Sequence, residues 1–226
     1  MMKILVDSAV LSDIRRWHDQ GVIDGVTTNP TLILKAGVFD LETHEKTIAR
    51  LIEPLPLSVE VTTNDPAEML DQARLYASWA PNIVVKIPII NQDGESCLGV
   101  IHTAEREGIA VNATALLSLG QVILATKAGA SYVSIFAGRV ADEGHDAPAL
   151  IRAAADWLAR WDSLTEIIVG SVRGVIDIQQ AAIAGAHIIT IPPPMLDKML
   201  DHKYTRETVR QFNEDAQHAL AVLEHT

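Results

Sequence analysis

The chain has 226 residues, 48% of them hydrophobic, and sets 18 Lys+Arg against 29 Asp+Glu for a formal charge of -11. That hydrophobic fraction supplies a large core and excludes disorder; the acidic balance speaks against a nucleic-acid partner but allows an anionic substrate held by a few converging cations. A single cysteine, Cys97, excludes an internal disulfide and suits a reducing compartment, and no apolar run is long enough to read as a membrane span.

The first predicted strand, Lys3–Val6, turns polar at Asp7. It lacks the apolar length and cleavage pattern of a secretory signal, so a cytoplasmic location is expected. A second strand, Gly25–Thr27, runs into Thr28 and Asn29, and a third, Leu57–Val61, carries Glu60. Asn64 or Asp65 is then a natural cap for a helix over Asp65–Trp79, with Pro66 at its first position. The fourth strand, Ile83–Ile87, places Val and Ile on both faces, as a strand buried on both sides does, yet holds Lys86. Desolvation there disfavours an ammonium, which suits a lysine that forms a Schiff base with a carbonyl; the plainer alternative is a strand-end lysine that snorkels to solvent.

The fifth strand, Ile109–Asn112, is followed by Thr114, and the sixth, Tyr132–Phe136, holds Ser134 and leads to Arg139. A helix over Asp146–Trp161 precedes the seventh strand, Glu166–Val169, which is followed by Ser171 and Arg173. The eighth strand is His187–Ile191. A last helix, Thr205–Leu223, gathers Val209, Phe212, Ala216, Ala219 and Leu220 on one face, which its own barrel or a neighbouring subunit would cover.

Eight strand-then-helix units fit a closed barrel or an open doubly wound sheet. The open sheet favours a glycine-rich turn after the first strand, where Val6-Asp7-Ser8-Ala9 stands instead, and no Gly-x-Gly-x-x-Gly occurs. Even strand spacing and the lack of a composition break predict an α/β fold: one (β/α)8 TIM barrel over residues 1–226, with 205–223 as an additional helix.

Active sites of such barrels sit at the C-terminal strand ends. Those ends supply Asp7, Thr27, Asn29, Glu60, Lys86, Asn112 with Thr114, Ser134 with Arg139, and Ser171 with Arg173. Each has a bland reading taken singly: Asp7 and Asn29 as helix caps, Thr114 as a turn residue, Glu60 as a solvated strand end, the arginines as surface groups. Their convergence around one lysine favours a site. A Schiff-base reaction needs a proton shuttle, for which Asp7 is the candidate, and an ordered water, which Glu60 and Thr114 are suited to hold. Asn29 and Asn112 suit substrate hydroxyls, and Arg139 and Arg173 with Ser171 suit a phosphate, because guanidinium forks match its oxygens.

Rival chemistries have weaker marks. The eight histidines (His18, His44, His102, His145, His187, His202, His218, His225) form neither an H-x-H nor an H-E-x-x-H pattern, so no metal is expected. Asp142–Asp146 does not have the spacing of an EF-hand, and there is no G-x-S-x-G elbow or Walker loop.

Five segments, Gly25–Leu32, Ser58–Val61, Val84–Pro88, Val111–Thr114 and Ser134–Arg139, together resemble the transaldolase family, in particular the short branch that includes the fructose-6-phosphate aldolases. The likeness runs from Lys3 to about His202. It implies a (β/α)8 barrel without a cofactor, with the Schiff-base lysine at Lys86, the acid/base at Asp7, and the catalytic water between Glu60 and Thr114. By the same resemblance Asn29, Asn112 and Ser134 contact a dihydroxyacetone unit, Thr27 and Phe136 join the substrate-binding set, and Arg139, Ser171 and Arg173 take the phosphate. The implied partners are small sugar phosphates and further copies of the chain, as a pentamer or decamer. The aldolases of this branch resemble one another in carrying Gln at the position of Glu60 and Tyr at that of Phe136, so transfer of the three-carbon unit is expected over its release; the alternatives are such an aldolase or a non-catalytic sugar-phosphate-binding barrel. Ile135, Ala137, the Ala115-Leu116 pair and the Pro192-Pro193-Pro194 run depart from the family pattern, and from their place near the mouth they are expected to bear on acceptor preference.

Overall fold

The computed structural model describes residues 1–223; positions 224–226, His225 among them, lie outside the described residues. Eight parallel strands follow one another around a closed barrel: β1 (Lys3–Asp7), β2 (Gly25–Thr27), β3 (Leu57–Glu60), β4 (Ile83–Pro88), β5 (Val111–Leu116), β6 (Tyr132–Phe136), β7 (Glu166–Gly170) and β8 (Ile188–Ile191). β1 pairs with β2 through Asp7↔Thr27 and with β8 from Lys3↔Ile188 to Val6↔Ile191, which closes the ring. The connecting helices are α1 (Leu11–Asp19), α2 (Pro30–Lys35), α3 (Leu41–Ile52), α4 (Pro66–Ala77), α5 (Leu98–Arg106), α6 (Leu119–Ala128), α7 (Ala137–Asp142), α8 (Ala147–Arg160) and α9 (Val175–Ala184).

Side chains alternate along each strand, so one residue in two faces the barrel axis. The outward set, such as Val59, Val85, Ile87, Val133 and Ile189, is buried beneath the helices. α8 shows how a helix covers it: Ala147, Ile151, Ala154 and Leu158 recur on one face and are buried, and the Asp146 carboxylate caps the start by accepting from the Ala149 N–H. α4 begins in the same way. Asp65, of the two possible caps, accepts from Ala67 and Glu68, with Pro66 in the first turn.

The inward set changes character along the barrel. Leu5, Ile168 and Ile188, with Tyr132 packed against them, form an apolar layer in the N-terminal half, beside a cavity of about 250 Å³. Nearer the C-terminal ends the inward residues are Asp7, Thr27, Ser58, Glu60, Lys86, Asn112, Ser134 and Thr190. An apolar layer therefore lies beneath a polar floor.

Several strands run further than the sequence pattern predicts. β1 includes Asp7, β4 includes Pro88, β7 includes Gly170, and β5 is Val111–Leu116 rather than Ile109–Asn112. A polar residue marks the end of an apolar run but not of the backbone ladder: in a barrel, inward polar side chains at the mouth leave strand pairing intact. β5 carries an irregularity as well. Ala115 is left-handed (φ 61°), and the β5/β6 register shifts between Ala113 and Leu116, which turns Leu116 outward into the core.

The chain divides into two compact units, Met1–Pro193, which holds the whole barrel, and the segment from Pro194 onward. The latter contains most of α10 (Pro193–Leu200) and all of α11 (Lys203–Leu223), the helix predicted over Thr205–Leu223. Among the described residues no helix is long and apolar enough to cross a membrane.

Candidate active site

A cavity of about 640 Å³ opens at the C-terminal end of the barrel. Eleven of the twelve residues expected there line it: Asp7, Thr27, Asn29, Glu60, Lys86, Asn112, Ser134, Phe136, Arg139, Ser171 and Arg173. The twelfth, Thr114, is fully buried in β5, on the same strand face as Asn112. Four cationic side chains (Lys35, Lys86, Arg139, Arg173) face two carboxyls (Asp7, Glu60), so the mouth is locally positive in a chain of net charge -11.

Lys86 is 5% exposed and does not snorkel to solvent. Its Nζ donates to the Thr28 carbonyl at 2.9 Å and lies 2.9 Å from Glu60 Oε2. Register explains the pairing: Glu60 and Lys86 are direct neighbours on β3 and β4, and Lys86 and Asn112 on β4 and β5. Glu60 is thus the ion-pair partner of the lysine rather than a solvated strand end.

Asp7 is not a helix cap either. α1 starts at Val10 without a side-chain cap, while Asp7 Oδ1 accepts the Thr27 hydroxyl proton at 2.8 Å. Thr27 has one proton to give, so Thr190 is the donor in the 2.5 Å contact between the two threonines. The result is a Thr190→Thr27→Asp7 chain that fixes the carboxyl. Burial pushes the Asp7 carboxyl above its ordinary range; the Lys86 charge and the Thr27 bond oppose that rise and the Glu60 charge adds to it.

Asn29 does cap α2, its Oδ1 accepting from the Leu32 N–H at 3.0 Å, which leaves its amide nitrogen toward the cavity. On the opposite wall Ser134 Oγ donates to Asn112 Oδ1 at 2.7 Å, and the Asn112 amide reaches Ser58 Oγ at 3.5 Å. Thr114 Oγ1 is buried and makes no hydrogen bond among the described residues. A hydroxyl in that position is an available partner for a water or a reacting group.

Arg139 stands in the first turn of α7, and Ser171 and Arg173 follow β7. Ser171 adopts a left-handed backbone (φ 59°), which folds this loop back over the helix. The approach is so close that a Cβ on Gly138 would lie 2.0 Å from the Ser171 carbonyl oxygen, so only glycine fits at 138. Arg173 is held from two sides: its guanidinium pairs with Asp142 at 2.6 Å, and its N–H donates to Asp177 Oδ2 at 2.8 Å. The residues that depart from the family pattern do not line this cavity. Ile135 and Leu116 are outward core residues, Ala115 is exposed on the bulge, and Ala137 lines a neighbouring cleft that shares Arg173 with the cavity. None of them lines the cavity, and neither does the proline run.

Two contributors escape a reading of strand ends. Thr190 lies one residue inside β8. Glu45, on α3, is wholly buried and accepts the Thr28 hydroxyl at 2.7 Å. Its signal in the sequence is a carboxylate at a helix position whose neighbours on the same face, Ile48, Ala49 and Ile52, are all buried. Burial pushes its carboxyl up to about 7, against the pull of the Thr28 bond and the Lys86 charge. The native chain therefore holds that proton more tightly than the unfolded chain, whose Glu titrates at about 4.5. This contribution to stability is full below about pH 4.5 and is lost as pH rises through about 7, up to about 3 kcal/mol in all. Urea unfolding at pH 5 and pH 8 checks it: Glu45→Gln should flatten the difference between the two, and an unchanged difference would refute the assignment.

Among the described residues no three His, Cys, Asp or Glu side chains converge as a metal site. Comparison with known proteins adds the following. The family model described as Transaldolase/Fructose-6-phosphate aldolase matches residues 4–226. A "Probable transaldolase" from Dehalococcoides mccartyi is 39% identical over 95% of this chain and 97% of its own. Another from Lactiplantibacillus plantarum is 41% identical over 95% and 96%, and "Probable transaldolase 2" from Listeria monocytogenes is 40% identical over 95% of both chains. Among solved structures, 2,3-dimethylmalate lyase, a PEP mutase/isocitrate lyase superfamily member, superposes with a TM-score of 0.57 at 18% identity, over 95% of this chain and 84% of that one. At that identity the likeness speaks for the barrel fold alone.

Proposed function

This chain belongs to the transaldolase/fructose-6-phosphate aldolase family, and within it we propose a transaldolase that moves a dihydroxyacetone unit from a ketose phosphate to an aldose phosphate through a Schiff base on Lys86. The observation that carries this reading is a buried lysine amine at the floor of a sugar-sized cavity, within hydrogen-bond distance of a carboxylate.

Once Glu60 has taken a proton from the Lys86 ammonium, the amine adds to the ketose C2 carbonyl, and loss of water leaves an iminium. Glu60, 2.9 Å away, takes and returns the protons of that exchange, directly or through a water that Thr114 Oγ1 also holds. Asp7 then removes the C4 hydroxyl proton, the C3–C4 bond breaks, and an aldose phosphate leaves while the bonding pair forms an enamine. A carboxyl raised by burial is a stronger base for this step, and the Thr190→Thr27 chain keeps it aimed. In the second half the enamine attacks the acceptor aldehyde and Asp7 returns its proton. Asn29, Asn112 and Ser134 would hold the three-carbon hydroxyls, and Arg139, Ser171 and Arg173 the phosphate. In this reading the donor is a ketose phosphate such as sedoheptulose 7-phosphate or fructose 6-phosphate. The working form in this reading is a homo-oligomer, and a sedimentation mass of one chain would remove that part.

Glu60 and Phe136 favour transfer over release, because Phe136 offers no hydroxyl to the water near Lys86. Incubation with fructose 6-phosphate, with and without erythrose 4-phosphate, tests the reading. Sedoheptulose 7-phosphate formed only with the acceptor supports it; free dihydroxyacetone without acceptor makes the protein an aldolase instead. Phe136→Tyr should raise the share of free dihydroxyacetone, and an unchanged product ratio would undo the argument from this position.

A further inference from the structure

Thr28 joins two buried groups that lie on different elements. Its backbone carbonyl accepts from Lys86 Nζ at 2.9 Å, and its hydroxyl donates to Glu45 Oε1 at 2.7 Å. Glu45 takes no part in lining the sugar cavity. It borders an adjoining cavity of about 210 Å³ that shares Asn29 and Glu60 with the sugar cavity.

A fully buried carboxyl is costly, and among the described residues Glu45 Oε2 has no hydrogen-bond partner to offset that cost. An apolar side chain of similar volume on this face of α3 would serve the fold at least as well. What Leu or Met lacks at this position is an acceptor for the Thr28 hydroxyl. That hydroxyl also lies 3.2 Å from the Ser58 carbonyl, so without Glu45 it has a second acceptor toward which to turn, and the Thr28 peptide loses one of its anchors.

Resting on Lys86 as the Schiff-base nucleophile, we propose that Glu45 is a positioning residue for that lysine: by holding the Thr28 hydroxyl it fixes the Thr28 peptide, whose carbonyl aims the amine into the cavity. Glu60 holds the amine from the cavity side and Glu45, through Thr28, from the helix side. The enzyme then orients its nucleophile by two carboxyls, of which only one meets substrate.

The test compares Glu45→Leu, Glu45→Gln, Thr28→Val and the Glu45→Leu/Thr28→Val double variant, each with fructose 6-phosphate and erythrose 4-phosphate. Glu45→Leu keeps the volume and removes the acceptor, so kcat should fall about ten- to a hundredfold with KM within about twofold, the pattern of a misplaced nucleophile rather than a damaged sugar site. Glu45→Gln keeps an oxygen for Thr28 and should recover kcat to within about threefold, a rescue that space-filling alone does not give. Thr28→Val should reproduce the Glu45→Leu loss, and the double variant should add nothing to it. A Glu45→Leu enzyme with unchanged kcat overturns the proposal; if that variant fails to fold, unchanged kcat in Thr28→Val does the same. Borohydride trapping with fructose 6-phosphate separates the layers. Equal trapping rates on Lys86 in wild type and Glu45→Leu refute the role of Glu45 alone, whereas no trapping in wild type refutes the Schiff-base reading beneath it.

Discussion

Lys86→Ala should abolish turnover, by at least about 10⁴-fold in kcat, while leaving the barrel folded. Among the described residues no other lysine is placed to take over. Lys35, the other lysine lining the cavity, is exposed on α2 without the burial and paired carboxylate that surround Lys86. The fold should survive because the strand is held by its outward residues, Ile83, Val85 and Ile87, which are buried under the helices and unaffected by the change. The substitution does leave Glu60 without its ion pair, but that side chain is 23% exposed and can take up water or a proton. A kcat assay beside a far-ultraviolet dichroism spectrum checks both halves. Residual activity within tenfold of wild type, in a folded variant, would contradict covalent catalysis by this lysine.

Removing either Arg139 or Arg173 should raise KM for phosphorylated donors and acceptors roughly ten- to a hundredfold, equivalent to about 1.5–3 kcal/mol for one charge-assisted contact. The effect on unphosphorylated analogues should be small, because both arginines stand with Ser171 beyond β6 and β7, apart from the lysine on β4. Arg173 is the more preorganised of the two. Asp142 and Asp177 already hold its guanidinium and its N–H, so less ordering entropy is lost on binding. Asp142→Asn should consequently give a smaller rise in the same direction. Equal KM changes for phosphorylated and unphosphorylated substrates would remove the phosphate role from these residues.

The strand count and the mouth residues are legible in the sequence because the units repeat a common pattern: a short β-rich run, a polar residue near its end, then a helix. Lys86 stands out for the same reason, as a cation inside such a run. What escapes a reading along the chain are the relations between strands. Nothing local in Lys86 announces Glu60 as its partner; the parallel register does. Asp7 and Thr114 look like residues after strands because an apolar run stops before them, yet the ladder continues through both. Thr190 is hidden between isoleucines in β8, and its role exists only across the closure of the barrel, where β1 separates it from β2 in strand order. Glu45 was legible only as an anomaly, a carboxylate on an apolar helix face. Ile135 and Ala115, which look adjacent to the mouth by position, are removed from it by strand alternation and by the bulge.

Borohydride reduction of the enzyme with fructose 6-phosphate and no acceptor, followed by peptide mass analysis, tests the Schiff-base assignment most directly. A reduced three-carbon adduct on Lys86 and on no other lysine is the predicted result. An enzyme that turns over without a trapped adduct, or with the adduct on a different lysine, would contradict it.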